Sequence, residues 1–217
     1  MFLDNEHGLL HVHIPKTAGS SIQAAIRVHT NDFAQHIPRM HLPANKIRTM
    51  VGEHRWDFYY KFAVVRNPFE WYVSMWKFLM PLDGHLFRDK FWAKLTLDDR
   101  IALQQHFING SLDQWLSDFE WTHMTPDLKT SVNRCSQLDW VTDDVELWDI
   151  HNLEGLKETI HAKTGVALSI PNINITTNYG DYRQYYTPES MAYVANLNKS
   201  LIECMGYTFD SIDRVAA

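Results

Sequence analysis

Leu9-Leu10-His11-Val12-His13-Ile14-Pro15-Lys16-Thr17-Ala18-Gly19-Ser20-Ser21 is an apolar run that stops at a proline and opens into a small polar loop. Leu10, Val12 and Ile14 are branched and suit a pleated strand. Pro15 cannot extend its ladder, and Ile22, Ala25 and Ile26 recur afterwards at helical spacing. The stretch therefore predicts a strand, a loop and a helix. At such a junction the first backbone N–H groups of the helix lack intrahelical partners, and Lys16, Thr17, Ser20 and Ser21 add a positive charge and three hydroxyls. That composition suits an anion, a phosphate foremost. An ordinary strand-to-helix turn with a surface lysine is the alternative that composition leaves open.

Further along, Lys61-Phe62-Ala63-Val64-Val65-Arg66 is too uniformly apolar over its middle for a half-exposed strand and predicts a buried one. It runs into Arg66-Asn67-Pro68-Phe69-Glu70, where Asn67 is a good N-cap, Pro68 fits the first helical position and Glu70 stands three residues after the cap. A helix is expected there, with Trp71, Ser74, Trp76 and Phe78 in its body. Between the two units, Thr49-Met50-Val51-Gly52 followed by Glu53-His54-Arg55 is expected to be a strand end carrying polar groups at a sheet edge. Leu147-Trp148-Asp149-Ile150 predicts a strand feeding a helix over 153–164 that Gly165 stops.

A helix is also expected over 98–109, ended by Gly110, and another opening at the capping box Ser111-Leu112-Asp113-Gln114. Residues 120–146 read as polar and irregular. Thr187-Pro188-Glu189-Ser190 caps a long final helix, with Val194, Leu197, Leu201 and Cys204 on its apolar face and Gly206 at its end. Strands alternating with helices imply an α/β fold, a single domain over 1–217 with a mainly parallel central sheet flanked by helices.

The composition narrows the function. A formal charge of −6 over 217 residues provides no broad basic field for a nucleic acid, so cationic clusters should be few and specific. The two cysteines, Cys135 and Cys204, have no metal-site or redox spacing and are expected as buried thiols. No apolar run approaches the ~20 residues of a membrane span, and the first residues lack a signal-peptide pattern, so a cytoplasmic location is expected. His11 and His13 share one strand face and are expected as a packed or hydrogen-bonded pair. No metal is expected, because cysteine or carboxylate ligands at suitable spacing are missing from the sequence around them.

Lys16 and Arg66 stand at two strand-to-helix turns that would meet at the same edge of a parallel sheet, where they could hold a ligand with two phosphate centres. A Walker A loop is not present, since that pattern needs its lysine after the glycines and Lys16 precedes the only glycine of its loop. His13-Ile14-Pro15-Lys16-Thr17-Ala18-Gly19-Ser20-Ser21 resembles the 5′-phosphosulfate loop of sulfotransferases that use 3′-phosphoadenosine 5′-phosphosulfate (PAPS), the carbohydrate (2-O-type and Golgi-type) enzymes above all. Val65-Arg66-Asn67-Pro68-Phe69-Glu70-Trp71-Tyr72-Val73-Ser74 is similar to their 3′-phosphate motif, an arginine at a strand end with a serine eight residues later. Gly52-Glu53-His54 resembles the Gly-His element that supplies their catalytic histidine, with Glu53 inserted. Weaker similarity runs through Ile150–Glu154 and Tyr182–Thr187 to Met205-Gly206-Tyr207.

The resemblance implies a P-loop-like nucleotide-binding fold, PAPS as co-substrate, no metal, and an acceptor hydroxyl, with a saccharide as the expected acceptor. It implies Lys16 and His54 as catalytic residues, His54 as the base because imidazole titrates near neutrality. Lys16, Thr17, Ala18, Gly19, Ser20 and Ser21 would hold the 5′-phosphate, Arg66 and Ser74 the 3′-phosphate, and Arg183 would reach the nucleotide. The alternatives are a kinase-like phosphotransferase and a non-catalytic PAPS- or glycan-binding module.

Overall fold

A computed structural model of the chain describes residues 2–29, 41–79, 110–118, 128, 130–171 and 180–210. Its centre is a four-stranded sheet in the order β1 (Phe2–Asp4), β2 (Leu9–His11), β3 (Tyr60–Val65), β4 (Glu146–Asp149). β1 and β2 form an antiparallel hairpin, whereas β2, β3 and β4 run parallel. β1 has no counterpart in the sequence reading, because three residues are too few to show a period. The buried Asp4 ties its turn, accepting the backbone N–H groups of Glu6 and His7 at 3.0 and 3.2 Å. Beyond β2 the chain stays paired for one more residue, the Val12 N–H donating to the Phe62 carbonyl at 2.9 Å. At Pro15 the pairing has no donor left to use.

Side-chain alternation divides the sheet into two faces. Leu10, Val12, Ile14, Ala63 and Val65 face a core built with α2 (Ala44–Val51), α3 (Glu53–Phe58), α4 (Pro68–Leu79) and α5 (Leu112–Asp118). Leu9, Phe62 and Val64 face the other way, onto Ile22, Ala25 and Ile26 of α1 (Gly19–Arg27) and Leu156 and Ile160 of α6 (Leu153–Thr164). The uniformly apolar β3 is thus buried on both faces, as its sequence predicts. The fold is a mixed α/β sheet flanked by helices, in which three of the four described strands run parallel.

Three expectations are corrected. Residues 49–52 form no strand: Ala44, Ile47 and Val51 recur at helical spacing on the inner face of α2, and Gly52, at φ 82, separates α2 from α3. The short apolar run Thr49–Val51 holds too few residues to tell the two periods apart. The long final helix is two helices, α7 (Pro188–Leu197) and α8 (Lys199–Met205), parted at Asn198, whose φ of −110 and ψ of 19 leave the helical region. Cys135 is buried as expected, but Cys204 is exposed. The Asn67, Ser111 and Thr187 helix starts, and the Gly165 and Gly206 ends in left-handed conformation, match the sequence. The helix expected over 98–109 lies outside the described residues. Among the described residues no helix is long and apolar enough to cross a membrane.

Candidate active site

β2 and β3 are parallel neighbours, so the loops leaving their carboxyl ends emerge side by side, at the edge where open α/β sheets bind ligands. In the first loop Lys16 and Ala18 both take left-handed backbone conformations, φ 63 and 60. For residues other than glycine this costs roughly 1–2 kcal/mol each, and such strain collects where a loop clamps a ligand. Thr17, between them, is fully buried, and its hydroxyl donates to the Ile14 carbonyl at 2.9 Å, closing the loop on its own strand. Ala18 is the N-cap of α1 and offers no side-chain acceptor, so no cap occupies the first N–H groups of the helix, where half-buried Ser20 and buried Ser21 follow.

Gly19 serves packing and not backbone freedom. A Cβ on Gly19 would lie 1.8 Å from Cδ2 and Nε2 of His13, so the imidazole occupies the space a side chain would need. His13 in turn stacks on His11, ring centroids 5.6 Å apart, and lies 4.5 Å from the ring of His41. Burial lowers the His11 pKa to about 3 and that of His13 well below the ordinary histidine value, so the expected packed pair is uncharged. Burial, partly opposed by a hydrogen bond to the His13 carbonyl, lowers His41 to about 4. That bond is 3.1 Å from His41 Nδ1 to the carbonyl oxygen, which can only accept; Nδ1 therefore carries the proton and neutral His41 keeps Nε2 as its basic nitrogen.

Lys16 projects its ammonium over the Phe78 ring, 4.0 Å from its centroid. Among the described residues it has no carboxylate partner. Burial and then the neighbouring Arg66 charge lower its pKa to about 8. Arg66 itself pairs with buried Glu70 one turn into α4, and Glu70 Oε2 lies 3.5 Å from His151 Nε2. Burial would raise the Glu70 pKa, but the hydrogen bonds from Arg66 and His151 outweigh it and hold the carboxyl near 2. The site thus holds two close cations, of which one is locally neutralised. Ser74 is fully buried on the same side of α4 as Trp71 and Phe78.

His54 lies on α3, and Arg183 lies in the 3₁₀ turn Tyr182–Tyr185, which packs against α4. His54 is exposed, and its neighbour Arg55 donates to Asn5 in the β1–β2 turn at 2.6 Å, at the end of β2 opposite the loop. Arg183 forms a two-pronged pair with Asp181, with Asp210 3.8 Å away.

The sequence reading missed Gln137. This buried side chain accepts the Arg66 N–H at 2.9 Å and donates to the Arg66 carbonyl at 2.7 Å, clamping the main chain of the second loop. A glutamine in a polar, irregular stretch 71 positions away carries no local signal. Gln137→Leu is expected to break both part-buried bonds to the Arg66 main chain and to cost about 1–3 kcal/mol, read as a lowered midpoint in urea unfolding.

Among the described residues no group of histidine, cysteine and carboxylate side chains is arranged to hold a metal ion. The chain matched no curated protein and no solved structure. The family model described as "Sulfotransferase family" does match, over residues 1–158, a span that contains both cationic loops, the sheet and the Gln137 clamp. With its fold and its paired loops described, the chain belongs to the sulfotransferase family.

Proposed function

We propose that the chain transfers the sulfuryl group of PAPS to an acceptor hydroxyl, with a saccharide as the acceptor class. The observation that carries this reading is Lys16, a half-buried ammonium in a strained loop with no carboxylate partner among the described residues and with Arg66 beside it. An ammonium without a carboxylate partner beside a second cation, itself paired with Glu70, would be unfavourable unless an anion joins it, and a nucleotide with phosphates at both ends of its adenosine suits two loops. The saccharide rests on the resemblance of the motifs alone. The tryptophans Trp56, Trp71, Trp115 and Trp140 are fully buried and do not serve as sugar platforms.

In an in-line transfer the acceptor oxygen bonds to sulfur while the bond from sulfur to the 5′-phosphate oxygen breaks. Lys16 neutralises the charge gathering on that leaving oxygen. The backbone N–H groups of 17–21 and the hydroxyls of Ser20 and Ser21 hold the 5′-phosphate, the Thr17 hydroxyl being spent on the Ile14 carbonyl, and Arg66 with Ser74 holds the 3′-phosphate. The acceptor proton passes to a histidine. His41 is the favoured base over His54, because its Nδ1–H is committed to the His13 carbonyl and its Nε2 is unprotonated beside the loop. The negative charge of a bound donor would raise its low pKa towards the useful range.

The test is incubation with sulfur-labelled PAPS and a panel of saccharides, phenols, steroids and peptides, with His41→Ala and His54→Ala alongside. Loss of transfer in His41→Ala, with 3′-phosphoadenosine 5′-phosphate (PAP) still bound, supports the assignment; loss in His54→Ala alone returns the base to His54. Tight ATP binding without PAP binding would overturn the donor.

Lys16 also sets a pH dependence. Its pKa of about 8 means that it is charged at pH 7 and loses its proton above 8. An anion binds the charged form, so PAP affinity is expected to be level between pH 7 and 8. It should then fall towards tenfold per pH unit above 8, with uptake approaching one proton per PAP bound. Calorimetry in buffers of different ionisation enthalpy measures both.

A further inference from the structure

We infer that the buried indoles of Trp71 and Trp140 act together as a positioning pair that holds Lys16 and His41 in fixed relation to each other; this rests on the sulfuryl-transfer reading above. Trp71 is fully buried on α4, and its Nε1–H donates to the carbonyl of Pro15 at 2.7 Å. Trp140 is fully buried at the end of the 3₁₀ turn Gln137–Trp140, and its Nε1–H donates to the carbonyl of His41 at 3.1 Å. The two rings meet edge to face, centroids 6.3 Å apart at 75°. One aromatic block therefore presents two N–H donors to two backbone carbonyls, one just before Lys16 and one on His41 itself.

The geometry explains why these carbonyls matter. The peptide unit joining Pro15 to Lys16 is planar, so anchoring the Pro15 oxygen fixes the opposite direction of the Lys16 N–H. Lys16 holds a left-handed conformation that its own side chain does not favour, and the anchor opposes relaxation out of it. On the other side, His41 Nδ1 returns to the His13 carbonyl, two residues before Pro15. The contacts close into a ring through Pro15, Trp71, Trp140, His41 and His13. Gln137, in the same turn as Trp140, clamps Arg66, so the turn steadies both loops.

Trp71→Phe and Trp140→Phe keep a buried ring and remove the donor. Trp115→Phe is the control, a fully buried tryptophan whose ring lies 6.2 Å from Tyr72. We expect all three to lower the melting temperature. Only Trp71→Phe should weaken PAP binding, about tenfold, and move the Lys16 amine titration followed by NMR. Trp71→His, which can return an N–H, should recover part of that affinity. Only Trp140→Phe should move the His41 imidazole titration up towards the ordinary histidine value. Unchanged Lys16 and His41 titrations in the two variants, or equal changes in Trp115→Phe, would overturn the positioning role. If the wild-type chain binds no PAP, the donor reading fails, while the two titrations still decide the pair.

Discussion

Lys16→Ala is expected to lose about 10²–10³-fold in sulfuryl transfer, the usual cost of removing one preorganised electrostatic contact, without losing thermal stability. The ammonium is half-buried, lies near Arg66 and meets no carboxylate among the described residues, so in the unliganded protein its charge is a cost that folding bears. Alanine removes that cost, keeps the left-handed strain, and forfeits the contact over Phe78, worth about 0.5–1 kcal/mol. The melting temperature should stay level or rise. Lys16→Arg should keep PAP binding better than transfer, because a planar fork cannot put its charge where a compact ammonium sits. Labelled-PAPS turnover, PAP calorimetry and a thermal melt on the same preparations decide the matter. Wild-type turnover in Lys16→Ala would remove Lys16 from the chemistry.

The second large effect belongs to Gly19. A Cβ there would meet His13 at 1.8 Å, and His13 cannot step aside easily because His11 and His41 flank its ring. Gly19→Ala must either push the start of α1 away from the sheet or turn the imidazole out of its slot. Both displace the first N–H groups of α1 and the strained residues before them. Overpacking of this kind costs about 1–3 kcal/mol, and PAP binding should fall by more than about 100-fold, near 2.7 kcal/mol. The cause can be isolated. His13→Ala empties the slot, so Gly19→Ala combined with His13→Ala should melt higher than the two separate losses predict. A Gly19→Ala protein that melts and binds PAP like wild type would show that the slot is not filled as described.

The sequence reading recovers local features for physical reasons that are themselves local. β2 and β3 are legible because branched residues run up to Pro15 and Arg66, and the α4, α5 and α7 starts are legible because a cap or its hydroxyl stands beside the first turn. Where two periods fit one short run, as at Thr49–Val51, the sequence misleads, and burial of Ala44 and Ile47 decides for a helix. The break at Asn198 is equally hard to foresee. Its buried side chain donates to the Val194 carbonyl and reaches the Tyr72 hydroxyl, so the bend belongs to α4 as much as to its own segment.

The cations were legible because each stands in the loop that follows a strand, and parallel pairing of β2 with β3 brings such loops together. The surroundings of those cations were not. Gln137 reaches Arg66 from 71 positions away, Trp140 reaches His41 from 99, and Trp71 reaches Pro15 from 56. By itself the sequence determined the strand–loop–helix units and placed a cation in the loop after each strand, since both are written in neighbouring residues. Only the tertiary structure decided that His41 bonds to the His13 carbonyl, why Gly19 must be glycine and that Trp71 reaches the carbonyl before Lys16. Those answers are contacts between distant segments, and spacing along a chain carries no record of them.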